Sequence, residues 1–155
     1  MPTIALEPVG IVLGGRTDAV DDDWGGVEAL IRLDGARFGH DAVAGLDEFS
    51  HLVVVFQFHL VDESEVETGS RRPRGNADWP EVGMFAQRAK MRPNRLGVST
   101  CALVRVSGLD LHVRGLDAVD GTPVLDVKPY VREFEPGEAD VRQPSWVSEL
   151  MQGYY

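Results

Sequence analysis

The sequence predicts a mainly β fold, a compact barrel-like single domain over residues 1–155 with one or two short helices. Three observations carry that expectation. Short apolar stretches alternate with a period of two, the spacing of a strand with one buried face. Gly-Gly and Asp-Gly dipeptides separate them, as turns require. A chain of 155 residues that makes about six strands must also hide its sheet edges, which closure into a barrel does most completely.

Val9 to Leu13 reads as a first strand, ended by Gly14-Gly15. Asp21-Asp22-Asp23 follows in a loop; these acids lack the alternate spacing of a calcium-binding loop, so a solvated turn is expected. Val27, Ala29, Ile31 and Leu33 share one face of a second strand, closed by Asp34-Gly35. His40 to Gly45 has room for a helical turn. His51 to Leu60 is the clearest strand. Leu52, Val54, Phe56, Phe58 and Leu60 form an expected core face, opposite His51, Val53, Val55, Gln57 and His59. This mixed second face points to a cleft at its end. The two histidines, eight residues apart, lie about 26 Å apart on an extended strand and cannot share a metal ion. No metal site is expected.

Val61 to Pro80 reads as a long polar loop, acidic first and basic after, of a length that is commonly functional. Strands are expected at Cys101 to Val106, Leu109 to Leu116 and Val124 to Tyr130. Ser145 is placed to cap a short helix in which Trp146 pairs with Leu150 and Val147 with Met151.

Charge limits the function classes. The chain carries −10 overall, with 43% hydrophobic and 26% charged residues. This argues against a general nucleic-acid binder. From Arg71 to Arg95, however, seven basic residues face two acidic ones, a local charge of +5. An acidic body with one basic segment suits a local anionic ligand. No apolar run approaches the ~18 residues that span a bilayer, and no secretory leader is visible, so a cytoplasmic protein without membrane association is expected. The lone cysteine, Cys101, reads as a small core residue.

No phosphate-binding loop, dinucleotide fingerprint, metalloprotease helix or nucleophile elbow is present. Two segments stand out nonetheless. Gly83-Met84-Phe85-Ala86-Gln87-Arg88-Ala89-Lys90-Met91-Arg92-Pro93-Asn94-Arg95-Leu96-Gly97-Val98-Ser99 sets cations beside a stiff Arg-Pro-Asn turn, a pattern suited to a carboxylate or phosphate. Asp117 to Tyr130 passes through Asp120-Gly121-Thr122-Pro123 into a strand on which Asp126, Lys128 and Tyr130 share a face. On the residues alone these are equally a surface ion-pair segment and a hairpin.

The same residues carry a resemblance. GMFAQRAKMRPNRLGVS is similar to the G-x-FATRSPxRPNPIG-x-S segment of the TsaA-like (TrmO) family of tRNA-modifying enzymes. GLDAVDGTPVLDVKPY resembles its DL-x-DGTPV-x-DIKPY segment, GLDEFSHLVVVFQFH its FSH-(aliphatic run)-FH segment, and PVGIV its opening strand. The matches run in order from Pro8 to Tyr130. The resemblance implies a non-Rossmann β-barrel methyltransferase that uses S-adenosyl-L-methionine (SAM), works as a homodimer and N-methylates threonylcarbamoyladenosine beside the tRNA anticodon. By position, it implies cofactor binding by Gly14, Gly15, Arg16, Ser50, His51, Arg92, Asp120, Gly121, Thr122 and Pro123. Arg88, Lys90, Arg95, Lys128 and Tyr130 become candidates to face the substrate.

The chain departs from the pattern where the family's Thr is Gln87, its Ser-Pro is Ala89-Lys90 and its second Pro is Arg95. Transfer to an amide-like nitrogen calls for a proton acceptor, for which Asp126 is the candidate. Two other readings stand beside the tRNA enzyme: methylation of a small-molecule acceptor, and a non-catalytic SAM-binding module.

Overall fold

A computed structural model describes residues 1–155. Six strands close into an antiparallel barrel: β1 (Gly10–Leu13), β2 (Glu28–Leu33), β3 (His51–Gln57), β6 (Leu96–Ser107), β7 (Asp110–Arg114) and β8 (Pro123–Pro129). Around the barrel they run β1-β2-β7-β6-β3-β8, and β8 returns to β1. A separate ribbon pairs β4 (Ser70–Arg71) with β5 (Val82–Gly83). One short helix, α1 (Ser145–Leu150), follows the barrel. No helix is long and apolar enough to cross a membrane.

Alternation builds the interior. Val12, Ile31, Leu52, Val54, Phe56, Cys101, Leu111, Val113 and Val124 form one core cluster. They come from all six strands, and each is an inward position of its strand. Leu116 and Ala118, from the segment after β7, join the same cluster.

The tertiary structure corrects several expected boundaries. The strand expected over His51 to Leu60 ends at Gln57. Leu52, Val54 and Phe56 are buried, but Leu60 is 59% exposed because the chain turns away after Phe58. The strand expected from Cys101 already begins at Leu96. Its first inward positions are Gly97 and Ser99, so small residues mask the alternation. Residues 61–80 are more organised than a bare loop. Asp62 caps a 3-10 turn, accepting from Ser64 N–H at 2.8 Å while Glu65 accepts from Asp62 N–H. Those Ser64 bonds hold the Asp62 carboxyl below its usual range. Pro144, not Ser145, occupies the cap position of α1.

Two irregularities shape the barrel. The β3–β8 register shifts between Val55, opposite Asp126, and Phe56, opposite Val124. The β6–β7 register shifts between Leu103 and Arg105. Such bulges bend a sheet and raise its twist, which helps six strands close.

Candidate functional site

A cleft of about 1430 Å³ opens at the end of the barrel where β3 finishes and β6 begins. Phe56 and Phe58 lie in it with rings 5.3 Å apart in an edge-to-face arrangement. Three further segments wall it: residues 85–94, residues 117–122, and α1 with the chain that follows.

The Asp120–Pro123 turn is fastened to the loop after β1. Gly14 N–H donates to Asp120 Oδ1 at 2.7 Å, and Asp120 N–H donates to Arg16 O at 2.7 Å. Gly121 N–H donates to Val12 O at 2.8 Å. Gly121 has φ +81°, a left-handed conformation that favours glycine, and a Cβ there would lie 3.6 Å from His59 Nε2. Thr122, 2% exposed, sets its hydroxyl 3.3 Å from His59 Nδ1 inside the cleft. Residues more than a hundred positions apart thus form one rigid wall.

Arg16 is engaged within its own loop. Its guanidinium donates to Asp22 O and Asp23 O and sits 4.6 Å from the Trp24 ring centroid. The acidic triplet has a structural role: Asp22 forms a two-pronged pair with Arg74, and Asp21 lies 3.8 Å from the same side chain. No group of three or more His, Cys, Asp or Glu is placed to hold a metal ion.

The departures from the family pattern acquire physical meaning here. Gln87, only 8% exposed, donates through Nε2 to Arg71 O and Val82 O, and its backbone carbonyl accepts from Arg92 Nη1 at 2.9 Å. It is a brace that ties the basic loop to the cleft wall. Arg95 adopts φ +52°, which proline cannot reach, and its N–H donates to Arg92 O at 2.9 Å. Its side chain donates to Val61 O at 2.6 Å. Replacing the family's proline by Arg95 therefore goes with a different turn, Asn94 and Arg95 both being left-handed.

The structure gathers some candidates and separates others. Arg88, Lys90, Arg92 and Thr122 line the cleft. Gly14, Arg16, Asp120 and Gly121 belong to the hydrogen-bonded wall behind Thr122, and Gly15, Pro123 and Arg95 do not line the cleft. Ser50 and His51 are at the far end of β3, hydrogen-bonded to each other at 2.8 Å. His51 faces Tyr130 across 6.4 Å in a separate shallow hollow with Thr100 and Glu135. Asp126 and Lys128 pair with each other at 2.5 Å on the outside of β8, with side chains 44% and 64% exposed. The cleft contains neither.

Sequence reasoning missed Asp117, Trp146, Tyr154 and Tyr155, all of which line the cleft. Tyr154 O–H donates to Asp117 Oδ2 at 2.5 Å. Burial, then the charge of Asp117, pushes the Tyr154 phenol up from its ordinary value. His59 was legible as the end of a mixed strand face. The paired aromatics near the C-terminus had no signal beyond a helical spacing.

The fold is a closed antiparallel barrel of non-Rossmann type, with Arg88, Lys90 and Arg92 along the cleft at one end. The chain belongs to the tRNA-methyltransferase O N-terminal domain family, whose model matches residues 24–136. It is 40% identical over 139 residues to a probable S-adenosyl-L-methionine-binding protein of Methanothermobacter thermautotrophicus, covering 85% of this chain and 93% of that one. It is 44% identical over 97 residues to the tRNA (adenine(37)-N6)-methyltransferase of Escherichia coli, covering 59% and 40%. The mouse enzyme of that name is 36% identical over 94 residues, covering 61% of this chain and 21% of its own length. The chain thus spans well under half of these two methyltransferases. The crystal structure of TrmO from Pseudomonas aeruginosa superposes with a TM-score of 0.72 at 28% identity, covering 91% of this chain and 62% of that one. The mainly β barrel expected from the sequence is the fold of that structure.

Proposed function

We propose that this chain is a SAM-dependent methyltransferase that N-methylates threonylcarbamoyladenosine beside the tRNA anticodon. The observation that carries the reading is the joining of Asp120–Thr122 to the first loop, which presents Thr122 and His59 to the same cleft as Arg92. The family membership and the names of the relatives support it.

The residues present fit the cofactor. Phe58 gives apolar surface for a flat ring, and the left-handed Gly121 leaves the backbone open beside His59. Arg92 gives one N–H to Gln87 O and keeps further donors for a carboxylate. When bound, SAM supplies an activated methyl group on a sulfonium. The protein's own task is alignment: rigid walls hold donor and acceptor in line and exclude water. Thr122 and Arg92 would hold the cofactor, and Arg88 and Lys90 at the rim would meet phosphates of the acceptor. The reading includes a homodimer. It also includes a cytoplasmic location.

A second reading, methylation of a small acceptor, is favoured by the −10 charge and by the engagement of Arg72 and Arg74 with neighbouring groups. The test is calorimetric SAM binding followed by turnover on unmodified and threonylcarbamoyl-modified tRNA. Methylation of the modified tRNA alone is the expected result. Binding without tRNA turnover would transfer the case to small acceptors or to a binding module, and absence of binding would overturn the assignment.

A further inference from the structure

Two carboxylates line the cleft, Asp21 and Asp117. Asp21 lies 3.8 Å from Arg74, whereas Asp117 has no cationic partner. One oxygen of Asp117 accepts the Tyr154 hydroxyl at 2.5 Å. The other, Oδ1, is buried and without any hydrogen-bond partner. A buried carboxylate oxygen left open is unfavourable in a finished core and reasonable in a site that awaits a donor.

Tyr154 reaches Asp117 because the C-terminal segment is tied to the rest of the molecule. Asp23 N–H donates to Gly153 O at 2.9 Å, Trp24 N–H donates to Tyr154 O at 2.8 Å, and Trp79 Nε1–H donates to Glu149 at 2.8 Å. This segment lies beyond the 24–136 span that the family model matches. The hydrogen bond to Oδ2 fixes the carboxylate plane and leaves Oδ1 as its free lobe.

We infer that Asp117 is the carboxylate that takes the proton from the methyl-accepting nitrogen, with Tyr154 as its positioning residue. This rests on the methyltransferase reading above. As the nitrogen forms its bond to the methyl carbon, its N–H proton passes to Asp117 Oδ1, and the methyl–sulfur electron pair leaves with the neutral thioether. Asp126 cannot do this from the outside of β8, where it is paired with Lys128.

The test uses the full chain with threonylcarbamoyl-modified tRNA. Asp117→Asn is expected to lower kcat by about 100-fold or more. SAM affinity, measured by calorimetry, stays within about threefold, since the proton is transferred in the methyl-transfer step and not when the cofactor binds. Asp117→Glu recovers part of the rate. Tyr154→Phe lowers kcat by about tenfold with KM unchanged, the mark of a misaligned base. Wild-type kcat in Asp117→Asn overturns the inference. So does a loss of SAM affinity that accounts for the whole loss of rate, which would make Asp117 a cofactor contact. If Asp117→Asn fails to fold, Tyr154→Phe decides, and an unchanged kcat overturns the proposal. Wild-type protein that does not bind SAM would instead remove the methyltransferase reading itself, and binding without turnover on this tRNA would overturn the proton-transfer role along with the acceptor.

Discussion

Gly97 lies flat against the ring of Phe56: a Cβ at Gly97 would stand 2.5 Å from Cε2 and Cζ of Phe56. The ring is 1% exposed and also lines the cleft, so the second position of β6 must be a residue with no side chain. Gly97→Ala therefore forces the ring out of place. Overpacking of this kind costs about 1–3 kcal/mol. The expected outcome is a Tm several degrees lower, and an unchanged melt would mean that the ring repacks freely.

Arg95 holds φ +52° and uses its N–H on Arg92 O. Arg95→Pro would remove that donor and demand a φ near −65°. Denaturant unfolding should report a loss of about 1–3 kcal/mol, the range for a backbone forced from its native conformation. Stability equal to wild type would mean that the segment has a second turn available at no cost.

Thr122 and His59 meet in the cleft, whereas Ser50 and His51 meet at the other end of β3. Thr122→Val or His59→Ala should weaken SAM binding by about tenfold, the size of one lost hydrogen bond. Ser50→Ala and His51→Ala in the isolated subunit should leave it unchanged. Calorimetry on the four variants separates the two ends, and the reverse ranking would move the cofactor site.

Asp126 and Lys128 form an exposed pair. Asp126→Asn should shift stability by no more than about 0.5–1 kcal/mol, since solvent screens such pairs. Turnover should persist, and its loss at full SAM affinity would return Asp126 to the mechanism.

Burial raises the Cys101 thiol from 9.0 to about 12 and also raises the Tyr154 phenol. A group whose folded value lies above its unfolded one stabilises the protein below the unfolded value. That contribution is lost as pH rises through the folded value. Stability in urea should hold to about pH 9 and decline toward pH 12, less steeply in Cys101→Ala. A thiol reagent at pH 8 should react with Cys101 only on unfolding; rapid labelling of the native protein would contradict its burial.

The legible part of the fold was the part encoded by local alternation. Leu52, Val54 and Phe56 announced their strand because a uniformly apolar inward face alternates with an outward face that mixes polar and apolar residues. β6 was legible only from Cys101 onward, since its earlier inward residues, Gly97 and Ser99, are small, and Gly97 is so because it faces the ring of Phe56, about forty positions away in the chain. At the site, the Asp120–Thr122 turn and the Arg92 segment were recognisable as sequence motifs. Their meeting with His59 was not, because it depends on the chain turning away after Phe58.

By itself, the sequence determined the barrel, the basic segment and the family, all properties of residue pattern along the chain. Only the tertiary structure decided that Gln87 is a brace, that Asp126 lies outside the cleft and that Tyr154 reaches Asp117. These depend on barrel closure, which sets distant residues side by side according to strand order and register, and neither can be read from any one segment.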